Sequence, residues 1–231
     1  CAIVVVDGVK GVEVQTEKLW AEAASLGLPR IIVLNRLDRE CASLDRAIES
    51  LRRDCAREII PIQLPLGEEK AFIGVVDLVK MKAQTFAADG KMTETDIPAA
   101  LTDGAQHARE QLIEMVAEAD EQLMETFFAE GTLTQEQLVS GLRTATLAGK
   151  LFPLLCTSAT HATGMQPLLD AIVSYAPSPA ERDFRTLGKD NAETATKAAD
   201  TGPYAAFVWK TIADPFAGRI TMLRVVSGTI K

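Results

Sequence analysis

Ala2-Ile3-Val4-Val5-Val6-Asp7-Gly8 and, one helical stretch later, Arg30-Ile31-Ile32-Val33-Leu34-Asn35-Arg36-Leu37-Asp38 decide how this chain is read. Each begins as an unbroken run of apolar, mostly β-branched residues and ends abruptly in polar ones. A run that is apolar at every position, rather than at alternate ones, marks a strand covered on both faces, as in a parallel sheet. Between the two runs, residues 12–26 have helical spacing, with Val12, Leu19, Ala23 and Leu26 on one side. Gly27 supplies the stop and Pro29 opens the next element. Downstream, residues 42–57 read as a helix with Ala47, Ile48, Leu51 and Cys55 inward, and residues 59–64 as a third strand. Strand, helix, strand, helix, strand is the pattern of a doubly wound α/β sheet.

The pattern then changes. Residues 72–76 and 83–87 read as short strands with a turn at Gly90, followed by a long helix over 105–130. Thr134 and Gln137, three apart, make a capping box for another helix. Residues 65–150 therefore read as an inserted α+β subdomain. The buried-strand pattern returns at 151–156, and residues 164–176 form a helix closed by Pro177 and Pro179. Residues 182–202 are polar and rich in Ala, Thr, Lys and Asp, which reads as a linker. Residues 204–212 and 219–226 alternate like antiparallel strands that open an all-β domain.

Composition narrows the class. Apolar residues make up 47% and charged residues 24% of the 231, an ordinary globular mix. No apolar run is long enough to cross a bilayer, so no membrane association is expected. A net charge of −8 argues against direct DNA binding through the phosphate backbone. Cys1, Cys41, Cys55 and Cys156 form no C-x-x-C, so neither a metal site nor a redox pair is signalled, and a reducing, cytoplasmic setting is expected. The apolar run at residue 1 has no basic start and is not a secretory signal; it reads as a strand inside a domain.

Ligands of open parallel sheets bind beyond the carboxyl ends of the strands. Two short segments lie there: Asn35-Arg36-Leu37-Asp38 after one strand, and Thr157-Ser158-Ala159 after a later one. Guanine offers N1–H and the N2 amine as adjacent donors, and an ionised aspartate, which only accepts, can take both. Asp38 is placed for that role. Asn35 can bond the N7 side and brace the loop, the backbone N–H groups of Ser158 and Ala159 can donate to O6, and Arg36 can lay its planar guanidinium over the base. By average residue usage N-[KR]-x-D arises by chance in roughly one such chain in twenty. The plainer reading of Asn35 and Asp38 is a strand-to-helix turn. The second segment after a later strand favours guanine.

The chain resembles elongation factor G, the translocation GTPase. The resemblance is carried by residues 4–17, Pro29-Arg30-Ile31, Asn35-Arg36-Leu37-Asp38-Arg39, residues 63–67, residues 74–83, residues 164–171 and Ala213-Asp214-Pro215-Phe216-Ala217-Gly218-Arg219. It implies that residues 1–64 and 151–177 are the second half of a P-loop-type GTP-binding domain. It likewise implies an inserted subdomain over 65–150, a linker over 178–202, and the first strands of a β-barrel domain over 203–231. It assigns GTP or GDP to Asn35, Arg36, Asp38, Ser158 and Ala159, with Arg36 where the family pattern has Lys.

No G-x-x-x-x-G-K-[ST] occurs in the 231 residues, so no phosphate cradle, Mg²⁺ ligand or catalytic residue is expected within them. His107 and His161 read as solvated surface residues, and the chain by itself is expected not to hydrolyse GTP. The ribosome is the partner that the resemblance implies. Glu110, Glu114, Glu118, Glu121 and Glu125 recur at helical spacing; the plain reading is a solvated face, and the resemblance adds a ribosomal stalk protein as a partner. Alternatives are a weakly hydrolysing ribosome-docking paralogue and a ribosome-protection or release-factor GTPase.

Overall fold

The computed structural model describes residues 1–87, 90–188 and 192–230. The chain divides into two compact units, Cys1–Ala176 and Pro177–Lys231. The first runs β1 (Ala2–Asp7), α1 (Val14–Ser25), β2 (Arg30–Asn35), α2 (Leu44–Asp54), β3 (Ile59–Pro61), β4 (Gln63–Leu66), β5 (Gly74–Asp77), β6 (Lys82–Phe86), β7 (Met92–Thr95), α3 (Ala99–Glu118), α4 (Glu121–Glu130), α5 (Gln135–Leu147), β8 (Phe152–Cys156) and α6 (Met165–Tyr175). It holds a parallel sheet in the order β1-β2-β8-β3 and an antiparallel sheet in the order β4-β5-β6-β7.

The two faces of the parallel sheet feed different cores. Ile31 and Leu155 pack with Leu112, Val116, Leu138, Leu142 and Tyr175 of α3, α5 and α6. Ile32, Leu34, Leu154 and Cys156 pack with Trp20, Ala47 and Leu51 of α1 and α2. Ile31–Leu34 of β2 and the whole of β8 are therefore apolar at every position, and each fully buried Leu or Ile contributes about 1.5–3 kcal/mol. β1 differs from the expectation of a strand buried on both faces. It lies at the edge of the described sheet, with Val4 and Val6 buried but Ile3 and Val5 45% and 59% exposed.

Further differences have local causes. α1 buries Trp20 and Ala23 and leaves Leu19 and Leu26 exposed. Trp20 turns inward onto Phe152, ring centroids 4.8 Å apart and edge to face, and the Arg30 guanidinium lies against both rings, 4.4 Å from the Trp20 centroid and 4.2 Å from that of Phe152. The single strand expected over 59–64 is split between the two sheets. Ile62 is the switch point: it donates to Leu154 O at 3.0 Å, on the parallel sheet, while accepting from Leu78 N at 3.0 Å. The long helix expected over 105–130 breaks at Asp120, whose carboxylate caps α4 by accepting from Gln122 N at 2.9 Å and Leu123 N at 3.2 Å. The capping box of Thr134 and Gln137 opens α5.

The second unit consists of antiparallel pairs: β9 (Asp183–Leu187) with β10 (Glu193–Lys197), and β11 (Ala205–Asp214) with β12 (Gly218–Ser227). Residues 182–202, expected from composition to be a linker, thus carry a hairpin. Its strands are joined by threonine hydroxyls, Thr186 meeting Thr196 at 2.6 Å, a cross-strand pairing that a purely polar composition conceals.

Candidate functional site

β1, β2 and β8 run parallel and end side by side, with Asp7 in register with Asn35 and Leu34 in register with Cys156. The loops that leave them are laced together. Thr157 N donates to Leu34 O at 2.8 Å, Leu37 N to Thr157 O at 3.3 Å, and Gly8 N to Asn35 O at 2.8 Å. Gly8 admits this approach because a Cβ there would lie 3.1 Å from the Asn35 carbonyl oxygen. The loop after β8 is pinched by reciprocal bonds between Ser158 and Thr163, each 3.0 Å. It re-enters α6 through Gly164, whose φ of +79 and proximity to the Cys156 carbonyl exclude a side chain.

Side chains complete the lattice. Asn35 Oδ1 accepts from Ala159 N at 3.0 Å and from Thr157 Oγ1 at 3.4 Å. Ser158 Oγ donates to Asp38 Oδ1 at 2.6 Å. The Asp38 side chain is 11% exposed, and its Oδ2 lies 3.6 Å from His161 Nε2 and 4.0 Å from Arg39 Nε. The structure thus brings together Asn35, Asp38, Ser158 and Ala159 from two loops more than a hundred residues apart in sequence. One oxygen of Asp38 is held by a hydroxyl while the carboxylate borders a cleft lined by Asp7, Val9, Lys10, Arg36, Arg39, Glu40 and Lys70.

The structure gives several of these groups partners within the protein. The N–H groups of Ser158 and Ala159, expected to serve a keto oxygen, bond Thr163 O and Asn35 Oδ1. The brace expected of Asn35 is formed through its amide oxygen, which leaves its NH₂ as the donor for a ligand. Arg36, expected on a base face, has φ 67 and its Nη1 donates to Asp7 Oδ2 at 2.8 Å.

Sequence reasoning missed Asp7 and the approach of His161 to Asp38, and it placed Thr157 at the site without giving it a role. Asp7 was detectable, because it ends a parallel strand at the same carboxyl edge as Asn35. Burial raises the Asp7 pKa. Donation by Val9 N, the Arg36 guanidinium and Lys10 N outweighs it, and the carboxyl titrates below its ordinary value. Among the described residues no cluster of His, Cys, Asp and Glu has the makings of a metal site, and no helix is long and apolar enough to cross a membrane.

Comparison with known proteins points the same way. A crystal structure of a protein from Thermus thermophilus is similar at 33% sequence identity and a TM-score of 0.79, over 99% of this chain and 32% of that one. The chain therefore spans about a third of the length of the solved protein it matches. The model of the elongation factor Tu GTP binding domain matches residues 1–178. The chain belongs to that family of translation-factor GTPase domains.

Proposed function

We propose that these 231 residues are the base-reading part of a ribosome-dependent elongation GTPase of the translocation type, elongation factor G. The observation that carries the reading is the Asp38 carboxylate, held by Ser158 Oγ at 2.6 Å on the rim of a cleft. A mostly buried, oriented acceptor pair fits the N1–H and N2 amine of guanine, and repels adenine, whose N1 is itself an acceptor. Asn35 offers its NH₂ to the N7 edge, Ser158 and Ala159 hold Asp38 and Asn35 in place, and Arg36 covers the base face. Residues 1–64 and 151–177 form the doubly wound GTP-binding portion, 65–150 its insert, 178–202 a connection that contains the β9–β10 hairpin, and 203–231 the start of a β-barrel.

The phosphates and Mg²⁺ of GTP are held by groups outside these residues, since none of them forms a phosphate loop. The protein works in the cytoplasm, and its partner is the ribosome. Glu110, Glu114 and Glu118 of α3 and Glu121 and Glu125 of α4, all exposed, are offered to a ribosomal stalk protein; the single helical stripe expected from their spacing is divided at Asp120.

The test uses the full-length protein that carries these residues, with fluorescent GDP displaced by unlabelled GTP or ATP. GTP is expected to compete about 10⁴-fold better than ATP, the discrimination available to a site whose buried polar groups would go unpaired with the wrong ligand. Ribosomes are expected to accelerate its GTP hydrolysis. Equal competition by ATP removes the guanine reading; guanine selectivity without ribosome stimulation removes the translocation reading alone.

A further inference from the structure

The end of β1 contributes a residue that base reading by Asp38 does not use. Asp7 lies beside Asn35 in the β1–β2 register, and its carboxylate is fixed before any partner arrives. Oδ1 accepts from Val9 N at 2.8 Å and Lys10 N at 3.2 Å, which closes the turn after the strand. Oδ2 holds Arg36 Nη1 at 2.8 Å. The Asp7 side chain is 14% exposed and that of Arg36 55%. The anchor is therefore mostly buried, while the arginine extends along the cleft that Asp7, Arg36 and Asp38 line together.

Arg36 is an unusual residue to find so well held. Its φ of 67 puts a long, β-carbon-bearing residue in the left-handed region, where only glycine, asparagine and aspartate are at ease. In that conformation the side chain leaves the strand end toward β1 rather than along the loop. A guanidinium is suited to this place. It is flat and has five donors, so one N–H can be tied to a carboxylate while the plane stays available to a ring. A lysine ammonium in the same place could bond Asp7 or sit over a ring, but presents no plane.

We infer that Asp7 is a positioning residue for nucleotide binding, holding the Arg36 guanidinium as a fixed cover over the face of the base whose edge Asp38 reads. This rests on the proposed guanine site. It assigns the two aspartates different tasks: Asp38 sets which base is accepted, and Asp7, acting through Arg36, sets how long any base accepted there remains.

The experiment uses the full-length protein and follows release of GDP and of inosine diphosphate (IDP), each carrying a fluorescent ribose label. The variants are Asp7→Asn, Arg36→Lys and the double variant. Asn keeps an oxygen for the Val9 and Lys10 N–H groups, so the turn survives and only the charge that holds Arg36 is lost. Each single variant is expected to speed release about three- to tenfold, the scale of one cation–π contact. The factor is expected to be the same for GDP and IDP, because a face contact does not sense the N2 amine. The double variant is expected to be no faster than the faster single one. In nucleotide-free wild type the Arg36 Nη1 protons, which bond Asp7 Oδ2, should give a resolved, slowly exchanging NMR signal that is lost in Asp7→Asn. Asp7→Glu, which keeps the charge but moves it by one methylene, should restore part of the effect.

Unchanged release in Asp7→Asn overturns the inference, as do effects that simply multiply in the double variant or a change confined to GDP. A wild type that binds no guanine nucleotide overturns the guanine reading, and the inference with it.

Discussion

Two strand ends in this molecule have nearly the same sequence. Val5-Val6-Asp7-Gly8-Val9-Lys10 closes β1, and Val75-Val76-Asp77-Leu78-Val79-Lys80 closes β5. Both build the same turn. Asp77 Oδ1 accepts from Val79 N at 2.8 Å and Lys80 N at 2.9 Å, as Asp7 Oδ1 does from Val9 and Lys10. An arginine attends each turn, but differently. Arg36 bonds the carboxylate of Asp7, whereas Arg109 Nη1 bonds the carbonyls of Leu78 and Val79, each at 2.6 Å. The single differing residue explains much of this. Gly8 has no side chain and lets the turn lie against the Asn35 carbonyl at the open edge of the parallel sheet. Leu78 is fully buried and drives its turn into the core under α3 and α5. Local sequence sets the turn; the neighbouring element sets whether the turn borders an open cleft or a core.

The largest effect separating the two turns is expected at the leucine. Leu78→Ala should lower stability by about 2–5 kcal/mol, the range for deleting a buried leucine side chain, measured by denaturant unfolding. A loss below about 1 kcal/mol, the scale of an ordinary exposed substitution, would mean that the second turn is not anchored by its core contact. Next comes Gly8→Leu, which gives the first turn the residue of the second. Its Cβ would press on Asn35 O at 3.1 Å and Leu37 Cδ2 at 3.2 Å. Crowding of this kind costs about 1–3 kcal/mol, and by displacing Asn35 it should also weaken GDP binding by the full-length protein. Full stability with undiminished GDP binding would show that the close approach at Gly8 is dispensable.

The aspartates should then respond to pH in opposite directions. Burial holds the Asp77 carboxyl above its ordinary value, outweighing the N–H donors of Lys80 and Val79. The folded state thus binds the proton more tightly than the unfolded state. The resulting contribution is present below the ordinary value of 3.8 and is lost as pH rises through the folded value. Asp7, held below 3.8, contributes above that value and loses the contribution as pH falls. Near neutrality Asp77→Asn should therefore raise the melting temperature slightly and Asp7→Asn should lower it; the first difference fades as pH falls through the raised folded value of Asp77 and is gone below about 4, the unfolded value of the group, whereas the second fades only as the pH drops below about 4. Shifts of the same sign in both variants would contradict the comparison.

Much of this was legible in the sequence, and the parts that were not share a cause. Ile31–Leu34 of β2 and the whole of β8 were readable because both faces are buried, so every position is apolar. The carboxyl-edge rule then placed Asn35, Asp38, Ser158 and Ala159 near one another without any structure. What escaped depended on pairings between distant residues. The break at Asp120 looks like a continuing helix until its carboxylate is seen capping α4. Trp20 turns inward because of Arg30 and Phe152, not because of its own helix. The loop after β8 reads as a source of free N–H donors until Thr163 and Asn35 are seen to accept them. Composition also hid the β9–β10 hairpin, since an exposed strand made of threonine and alanine resembles a linker.

The central claim is that Asp38 reads a guanine edge, and a change of one atom type tests it. Xanthine carries a carbonyl where guanine carries the N2 amine. The full-length protein, as wild type and as Asp38→Asn, is titrated with GDP and with xanthosine diphosphate. The account predicts that wild type binds GDP and ignores xanthosine diphosphate, and that Asp38→Asn reverses the preference, because its amide can donate to the new carbonyl. Asp38→Asn that still prefers GDP by the wild-type margin would contradict the account, since the carboxylate held by Ser158 would then not be the group that reads the base.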